Sequence, residues 1–216
     1  LFAIVKDAEE VIQSILQKII IPILPIHILG TFANLSYAGS IQNILVIFGK
    51  VFVVVIILHL LYITALFIIS GLIAKKSPLM LIKNQIPAYF TAVGTQSSAA
   101  TIPVNLISAE KDGVSEQIRN FVVPLCATIH LAGSMITITS CSTAVILILG
   151  QNPNYGSMLP FILMLGVAMV AAPGAPGGAI MSALPFLYML GITGEELQGL
   201  MIALYLTQDS FGRLVI

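Results

Sequence analysis

The sequence predicts an all-α polytopic membrane protein, with transmembrane helices and two re-entrant helical hairpins arranged as inverted repeats. Of its 216 residues, 58% are hydrophobic and 8% are charged, whereas a typical soluble domain is about 25% charged. Residues 51–74 and 120–194 contain no Lys, Arg, Asp or Glu, and about 20 apolar residues suffice to cross the hydrocarbon core as a helix. Two apolar segments are interrupted at their centres by polar or Pro- and Gly-rich residues, which predicts the hairpins.

The first two predicted elements are long helices. The first span covers about residues 12–36, and Pro22 and Pro25 should bend it because proline removes an N–H donor and clashes one turn back. The second span covers about residues 43–74, which is long enough for a strongly tilted crossing. The histidines of these spans are expected to pack rather than to bind a ligand: His27 and His59.

The third element is the first predicted hairpin, over about residues 79–111. Its centre, residues 94–101, reads GTQSSAAT, which is too polar to face lipid, and Pro87 and Pro103 flank it. Non-helical backbone at membrane depth needs protein or water around it. Two short helices that meet at a polar tip therefore explain this pattern better than one continuous span.

The remaining elements repeat this order with a helix, a hairpin and a helix. A helix over about residues 116–149 breaks near residues 130–134. A second hairpin over about residues 157–192 carries APGAPGG at residues 172–178, a run that cannot stay helical. A last helix begins near Glu196. Broken segments at corresponding places in two inverted halves are the best sequence pointer to the binding site of a transporter.

The distribution of charge predicts the orientation. Nine cationic and nine anionic residues give a formal net charge of zero, so no basic surface for nucleic acid is expected. The connections 37–42, 150–156 and 192–196 hold no Lys or Arg. Because short cationic loops stay inside, we expect a multi-pass protein of the plasma membrane. Its cytoplasmic side would carry Lys6, Lys18, Lys75, Lys76, Lys83, Lys111 and Arg119.

Three stretches of the sequence carry a family resemblance. Residues 95–104 read TQSSAATIPV, and residues 124–134 read PLCATIHLAGS. Residues 173–178 read PGAPGG and are followed by TQDS at residues 207–210. These stretches resemble the dicarboxylate/amino acid:cation symporter family, the glutamate-transporter homologues. The first resembles the serine-rich tip of that family's first hairpin, and the second resembles its unwound seventh helix. The third resembles its second tip together with its final helix.

The resemblance implies an elevator-type transporter fold and a homotrimer. It assigns residues 1–40 to a scaffold helix, the fifth transmembrane helix, and residues 41–216 to the transport domain. The transport domain would hold, in order, the sixth helix (41–76), hairpin one (79–111), the seventh helix (116–149), hairpin two (157–192) and the start of the eighth helix (196–216).

Asp209 is the first candidate for substrate binding. It is an ionisable residue in a mostly apolar helix, and such residues are expensive in a membrane and functional by default. The resemblance gives it the α-ammonium group of the substrate. A pair with Arg213, at the favourable i, i+4 spacing, is the structural alternative.

The two tips supply the other substrate candidates. Ser97 and Ser98 lie where one half-helix ends and the next begins, so free N–H groups and the helix dipole would attract a carboxylate; a local cap is the alternative. Gly174 and Ala175 would cover the substrate with backbone, as a lid, and a structural kink is the alternative there. The resemblance adds two contacts from the broken helix: Leu131 and Ser134.

The coupling ion is expected to be Na⁺, held mostly by backbone oxygens, because hard cations prefer oxygen ligands. The resemblance implies a coupling-ion role for Cys126, Thr128, His130, Met169, Val170 and Ala172. His130 stands where the family usually has Asn, and Ala132 where many members have Asp, which puts one sodium site in doubt. Because histidine titrates near neutral pH, H⁺ carried by His130 is the alternative. No other cofactor is expected.

The expected substrate is a neutral amino acid such as serine, threonine or a cystine-like compound. Dicarboxylate-selective members of the family place an Arg three residues after the helix Asp, whereas this chain has Gly212 there. Arg213 lies about 100° further round the helix. If Arg213 reaches the site, a dicarboxylate such as glutamate or aspartate is the alternative substrate.

The sequence therefore predicts a cation-coupled symporter and not an enzyme. A channel is one alternative, because re-entrant hairpins also build pores, although a filter needs converging rings of carbonyls or charges. An intramembrane enzyme is disfavoured because no Gly-x-Ser-x-Gly motif surrounds a serine. We interpret the chain as a fragment, since it lacks an initiator Met and stops in a helix-like run, and an inactive remnant is a third alternative.

Overall fold

The computed structural model describes residues 41–174 and 176–212, together with positions 11, 14, 15, 18, 19, 22, 23, 25, 26, 29, 30, 33 and 37. The chain divides into two compact units, Leu1–Leu45 and Val46–Ile216. The helices described below belong almost wholly to the second unit. The predicted first span lies mostly outside the described residues, as does His27, and the predicted domain boundary after residue 40 stays a prediction.

The described part of the chain from residue 41 onwards is helical, and it contains no strand, which confirms the all-α prediction there. In chain order the helices are α1 (Ile41–Ala74), α2 (Pro78–Thr95), α3 (Ser98–Lys111), α4 (Glu116–Ile129), α5 (Ala132–Ile148), α6 (Tyr155–Val170), α7 (Gly178–Ala183) and α8 (Glu195–Gly212). A 3₁₀ helix, Leu184–Leu190, lies between α7 and α8.

The first predicted hairpin is a pair of helices that break at its polar centre. α2 begins with a proline, whose missing N–H costs nothing at the first helical position, and it is capped after Thr95 by Gln96, whose φ of 52° is left-handed. Ser97 then begins α3 as an extended N-cap whose side chain accepts a hydrogen bond from the Ala100 N–H. Pro87 and Pro103 lie inside the two helices, and α2 packs against α3.

The next segment is broken where the sequence predicted. α4 ends at Ile129 and α5 begins at Ala132. The two residues between them, His130 and Leu131, have backbone angles outside the helical range. The break therefore lies within one apolar stretch, Glu116–Ile148, that is long enough to cross a membrane.

The second predicted hairpin has one long arm and one short arm. α6 begins after Asn154, whose side chain accepts a hydrogen bond from the Gly156 N–H, and the turn after α6 ends at Gly177, whose φ is 76°. The returning arm is the short α7 followed by the 3₁₀ helix. The sequence predicted an apolar helix on each side, but Pro185 cannot donate the N–H that would continue an α-helix, and the arm tightens instead.

The buried core of this unit lies around α5 and α8, which pack against each other. More than half of the residues in each of these two helices are buried. α8 also contacts α2, while α5 also contacts α6, α7 and the 3₁₀ helix. Both broken hairpins therefore lie against the same central pair of helices.

Large apolar side chains cover the surface of α1. Among the described residues, Leu45–Ala74 is the second stretch long and apolar enough to cross a membrane. Leu72 and Ile73 are 71% and 79% exposed. An apolar surface of this extent is costly in water and typical of a helix that faces lipid.

The connections at the base of the first hairpin meet each other. The Lys76 ammonium group donates a hydrogen bond to the carbonyl of Asp112, and the Asn84 amide donates to the Asp112 carboxylate over 2.7 Å. Arg119 pairs with Glu110 at 3.2 Å. Two cationic connections that the sequence placed on one side therefore lie together, and their assignment to the cytoplasm stays a prediction.

Candidate functional site

The tip between α2 and α3 presents two serines in different environments. The Ser97 hydroxyl accepts a hydrogen bond from the Ala100 N–H and donates one to the Gly174 carbonyl, each over 3.3 Å. Ser98 is 1% exposed, and its hydroxyl has no hydrogen-bond partner among the described residues. A buried polar group without a partner costs about 1–3 kcal/mol. A hydroxyl of this kind, at the N-terminus of a helix, favours a ligand group as its partner.

The second tip touches the first. Besides the hydrogen bond from Ser97, a Cβ atom placed on Gly174 would lie 2.8 Å from the carbonyl oxygen of Ala127 and 3.6 Å from the Cβ of Ser98. A side chain at position 174 would therefore collide with α4, and glycine permits the close approach. The turn after α6, the tip of α2 and α3, and the end of α4 thus meet at one place.

Asp209 is buried in α8, where it is 3% exposed. The Ser134 hydroxyl donates to its Oδ1 over 2.9 Å, and the Tyr205 hydroxyl donates to the same oxygen. The Tyr205 oxygen also lies 3.1 Å from the Ser134 Oγ. The sequence pattern indicated Ser134 and Asp209 but not Tyr205. The available signal was its spacing of four residues from Asp209, which places both side chains on one face of the helix.

α5 and α8 cross at two glycines beside these side chains. A Cβ atom on Gly133 would lie 1.9 Å from the carbonyl oxygen of Gly212, which no side chain allows. Gly133 precedes Ser134, and Gly212 follows Asp209 by three residues. The close crossing of the two backbones therefore brings the hydroxyl and the carboxylate within hydrogen-bond distance.

The predicted coupling-ion residues lie on α4, in the break after it, and at the end of α6. α4 and α6 contact each other. The Cys126 carbonyl accepts a hydrogen bond from the His130 N–H over 3.0 Å, and the Met169 carbonyl accepts one from the Ala172 N–H over 3.4 Å. The bond of 3.4 Å is long for an N–H donor, and the Met169 oxygen also accepts from the Ala171 N–H. Thr128 donates its hydroxyl to a carbonyl of its own helix.

Of the four remaining predicted site residues, the structure describes two. Leu131 is buried in the break between α4 and α5, whereas Val170, the last residue of α6, is 60% exposed. Ala175 and Arg213 lie outside the described residues. The backbone contact of the second tip is therefore carried by Gly174, and the roles of Ala175 and Arg213 stay predictions.

A cavity of about 290 Å³ lies between α1 and α2. Its lining is mainly apolar and consists of Leu60, Ile63, Thr64, Phe67, Ile82, Gln85, Ile86, Tyr89 and Phe90. None of these residues belongs to the predicted site. The cavity contains no charged side chain, so the group around Asp209 is the better candidate for an ionic ligand.

Comparison with known sequences identifies the kind of protein this chain resembles. The sequence profile of the sodium:dicarboxylate symporter family matches residues 1–215. The serine/threonine transporter SstT of Acinetobacter baumannii (strain SDF) is 30% identical over 200 residues, which cover 89% of this chain and 48% of that protein. The serine/threonine transporter SstT of Acinetobacter baylyi (strain ATCC 33305 / BD413 / ADP1) is 28% identical over the same shares. The chain spans about half the length of the curated relatives it matches.

Proposed function

Because the chain belongs to the sodium:dicarboxylate symporter family, we propose that the protein is a secondary active symporter that takes up a neutral amino acid with a sodium gradient. The two helix pairs would be re-entrant hairpins, and transport would follow elevator-type alternating access. The protein would be a homotrimer in the plasma membrane, with its lysine-containing connections in the cytoplasm.

The observation that carries the proposal is the environment of Asp209. Its carboxylate is buried between α5 and α8 with hydroxyl donors from Ser134 and Tyr205 on one oxygen. Hydrogen bonds from hydroxyl donors stabilise and orient a carboxylate. A buried negative group oriented in this way suits the α-ammonium group of an amino acid.

The opposite end of the amino acid would meet the tip of α2 and α3. The N-terminus of α3 presents backbone N–H groups that have no partner within the helix, and the positive end of the helix dipole. The buried hydroxyl of Ser98 adds a donor that no described residue uses. A carboxylate bound there would satisfy that hydroxyl, and the backbone at Gly174 would close over it because the two tips already touch.

The preference for a neutral amino acid follows from the residue one turn after Asp209. Gly212 has no side chain that could pair with a second carboxylate, and its Cα lies against Gly133 in the close crossing. Both similar proteins named above are called serine/threonine transporters. A dicarboxylate remains the alternative substrate if Arg213 reaches the site.

Sodium is the proposed coupling ion. The broken end of α4 and the end of α6 carry the carbonyl oxygens that a hard monovalent cation would use, among them the Met169 carbonyl. The family's name, which specifies sodium symport, is consistent with this assignment. Protonation of His130, which lies in the break itself, is the alternative means of coupling.

The proposal is tested by uptake into proteoliposomes that contain the full-length protein. Radiolabelled serine, threonine, cystine, glutamate and aspartate would be offered under an inward sodium gradient, or under a proton gradient with sodium replaced by choline. We expect saturable uptake of serine or threonine that requires sodium. Uptake driven by protons alone would contradict sodium coupling, and a preference for glutamate or aspartate would contradict the neutral substrate. Conductance that does not saturate would favour a channel.

A further inference from the structure

His59, in the middle of α1, is a buried polar residue to which the proposed site gives no role. It is 1% exposed, and its Nε2 lies 3.0 Å from the carbonyl oxygen of Gly133. A carbonyl oxygen only accepts hydrogen bonds, so Nε2 carries a hydrogen and donates it. The other ring nitrogen, Nδ1, is buried and has no hydrogen-bond partner among the described residues.

Packing alone does not explain a histidine at this position. A buried nitrogen without a partner is unfavourable, and an apolar side chain of similar volume would fill the same space without that cost. The imidazole differs from such a side chain favourably in its hydrogen bond to the Gly133 carbonyl and its contact with the Thr137 hydroxyl. The role of His59 therefore depends on which neighbouring groups the Gly133 carbonyl orients.

The Gly133 carbonyl belongs to the peptide unit that also contains the nitrogen of Ser134. Because the peptide unit is planar, a hydrogen bond that fixes the carbonyl also fixes the direction from which the Ser134 side chain departs. Thr137 strengthens this arrangement, since its hydroxyl donates to the same oxygen over 3.2 Å and lies 3.3 Å from His59 Nε2. The Ser134 hydroxyl reaches Asp209 from this fixed peptide.

The same imidazole ring also lies against the helix that carries Asp209. A Cβ atom on Gly212 would lie 2.8 Å from both Cε1 and Nε2 of His59, so the ring occupies the space that a side chain at position 212 would take. Two turns earlier on α1, Phe52 meets Phe211 edge to face, with ring centroids 5.8 Å apart. One helix thus contacts the backbone on both sides of the pair formed by Ser134 and Asp209.

We propose that His59 is a positioning residue of the amino-acid site. It holds the peptide of Ser134 and the turn after Asp209 in the register at which the hydroxyl meets the carboxylate, and it does not itself touch the substrate. The role in substrate binding rests on the proposed function, whereas the coupling between His59 and Ser134 does not.

The test compares two replacements of His59 in the purified full-length protein. In His59→Gln the amide nitrogen takes the place of Nε2 and keeps the donor, whereas His59→Leu keeps the volume and removes it. Loss of one hydrogen bond of about 1 kcal/mol corresponds to about fivefold in affinity. We therefore expect His59→Leu to raise the Kd for serine or threonine about fivefold, with a smaller effect on the maximal uptake rate, and His59→Gln to stay within about twofold of wild type. If His59→Leu does not fold, His59→Asn, whose amide is too short to reach Gly133, replaces it.

A double-mutant cycle with Ser134→Ala separates positioning from packing. If His59 acts through Ser134, His59→Leu has little further effect on Kd once Ser134 is alanine. The inference would be overturned if His59→Gln and His59→Leu lost equal affinity for the amino acid. It would also be overturned if the effects of His59→Leu and Ser134→Ala on Kd were additive. The melting temperature is also measured without substrate for the wild type, His59→Leu, Ser134→Ala and the double variant. If the wild type binds none of the amino acids, the proposed function fails. The melting temperatures then test the inference on their own: shifts that are coupled between His59→Leu and Ser134→Ala support it, and additive shifts contradict it.

Discussion

Ser134 and Asp209 are 75 positions apart in the sequence, and their side chains meet at 2.9 Å between Oγ and Oδ1. The contact joins α5, just after the break near residue 130, to the buried face of α8. A single carboxylate oxygen receives this hydroxyl and that of Tyr205, which fixes the orientation of the carboxylate. The first two predictions follow from this arrangement.

Replacement of Asp209 by Asn should abolish amino-acid binding. Removal of one partner of a buried charge pair costs about 2–5 kcal/mol, so the Kd should rise at least about thirtyfold. Isothermal titration of the purified protein with serine or threonine checks this. Thr207→Ala is the matched control on the same helix, because the hydroxyl of this exposed residue bonds to carbonyls of α8, and the variant should bind as wild type does. Unchanged affinity in Asp209→Asn would contradict the role given to this carboxylate.

Tyr205→Phe should weaken binding while the protein stays folded. The substitution removes one hydroxyl that donates to the Asp209 carboxylate, and hydrogen bonds to charged groups are worth about 1.5–3 kcal/mol, so we expect a loss of about tenfold or more in affinity. Tyr188→Phe, at a side chain that is 67% exposed, is the control. The same titration measures both, and equal affinities for the two variants would show that the Tyr205 hydroxyl does not orient the site.

Alanine at Ser97 and alanine at Ser98 should have different consequences. Ser98 has no described protein partner for its hydroxyl, so Ser98→Ala should lose about fivefold in substrate affinity, the value of one hydrogen bond, with no fall in melting temperature. Ser97→Ala removes the N-cap of α3, worth about 1 kcal/mol, and should lower the melting temperature. Paired binding and thermal-melting measurements check both. The proposed carboxylate site would be contradicted if Ser98→Ala lowered the melting temperature without loss of affinity and Ser97→Ala lowered the affinity without loss of stability.

Gly174→Ala should slow uptake by preventing the two tips from meeting. The added methyl group would lie 2.8 Å from the Ala127 carbonyl oxygen, and overpacking of this kind costs about 1–3 kcal/mol, so we expect the uptake rate to fall about tenfold. Gly166→Ala is the control from the same hairpin, because its Cβ would meet Met135 at an ordinary 3.6 Å. Rates in proteoliposomes compare the two. A Gly174→Ala protein as fast as the Gly166→Ala protein would show that this approach is dispensable.

Gly133→Ala should destabilise the whole unit. Its Cβ would lie 1.9 Å from the Gly212 carbonyl oxygen, so α5 and α8 would have to separate, at a cost at or above the usual 1–3 kcal/mol of overpacking. Gly49→Ala in α1, where nothing lies within 4 Å, should keep or raise the melting temperature because alanine favours a helix. Melting curves of the two variants make the comparison, and equal stability would contradict the close crossing.

The sequence predicted the broken elements well because their causes are local. The serines at the first tip and the prolines and glycines at the second act on their own backbone, and the breaks at Ser97 and after α6 appear where the composition changes. Local chemistry also explains one difference: Pro185 tightens the returning arm into a 3₁₀ helix.

Contacts between distant segments could not be predicted in the same way. Tyr205 differs little from any other aromatic residue of an apolar helix until the fold brings it to Asp209 and Ser134. His59 was expected to pack, and its hydrogen bond to Gly133 depends on how α1 crosses α5. The close approach of Gly133 to Gly212 likewise follows from helix crossing, which spacing along a single chain does not specify.

The acceptor in the contact between the two tips is a backbone carbonyl, which every amino acid at position 174 would supply. Only the size of the residue is restricted there, whereas the proposed amino-acid site depends on side chains: Ser98 on α3, Ser134 on α5 and Asp209 on α8. The contact between the two tips and the selectivity for the substrate can therefore change independently of each other. In laboratory evolution towards a new cargo, substitutions should accumulate around Ser134 and Asp209 and spare Ser97 and Gly174.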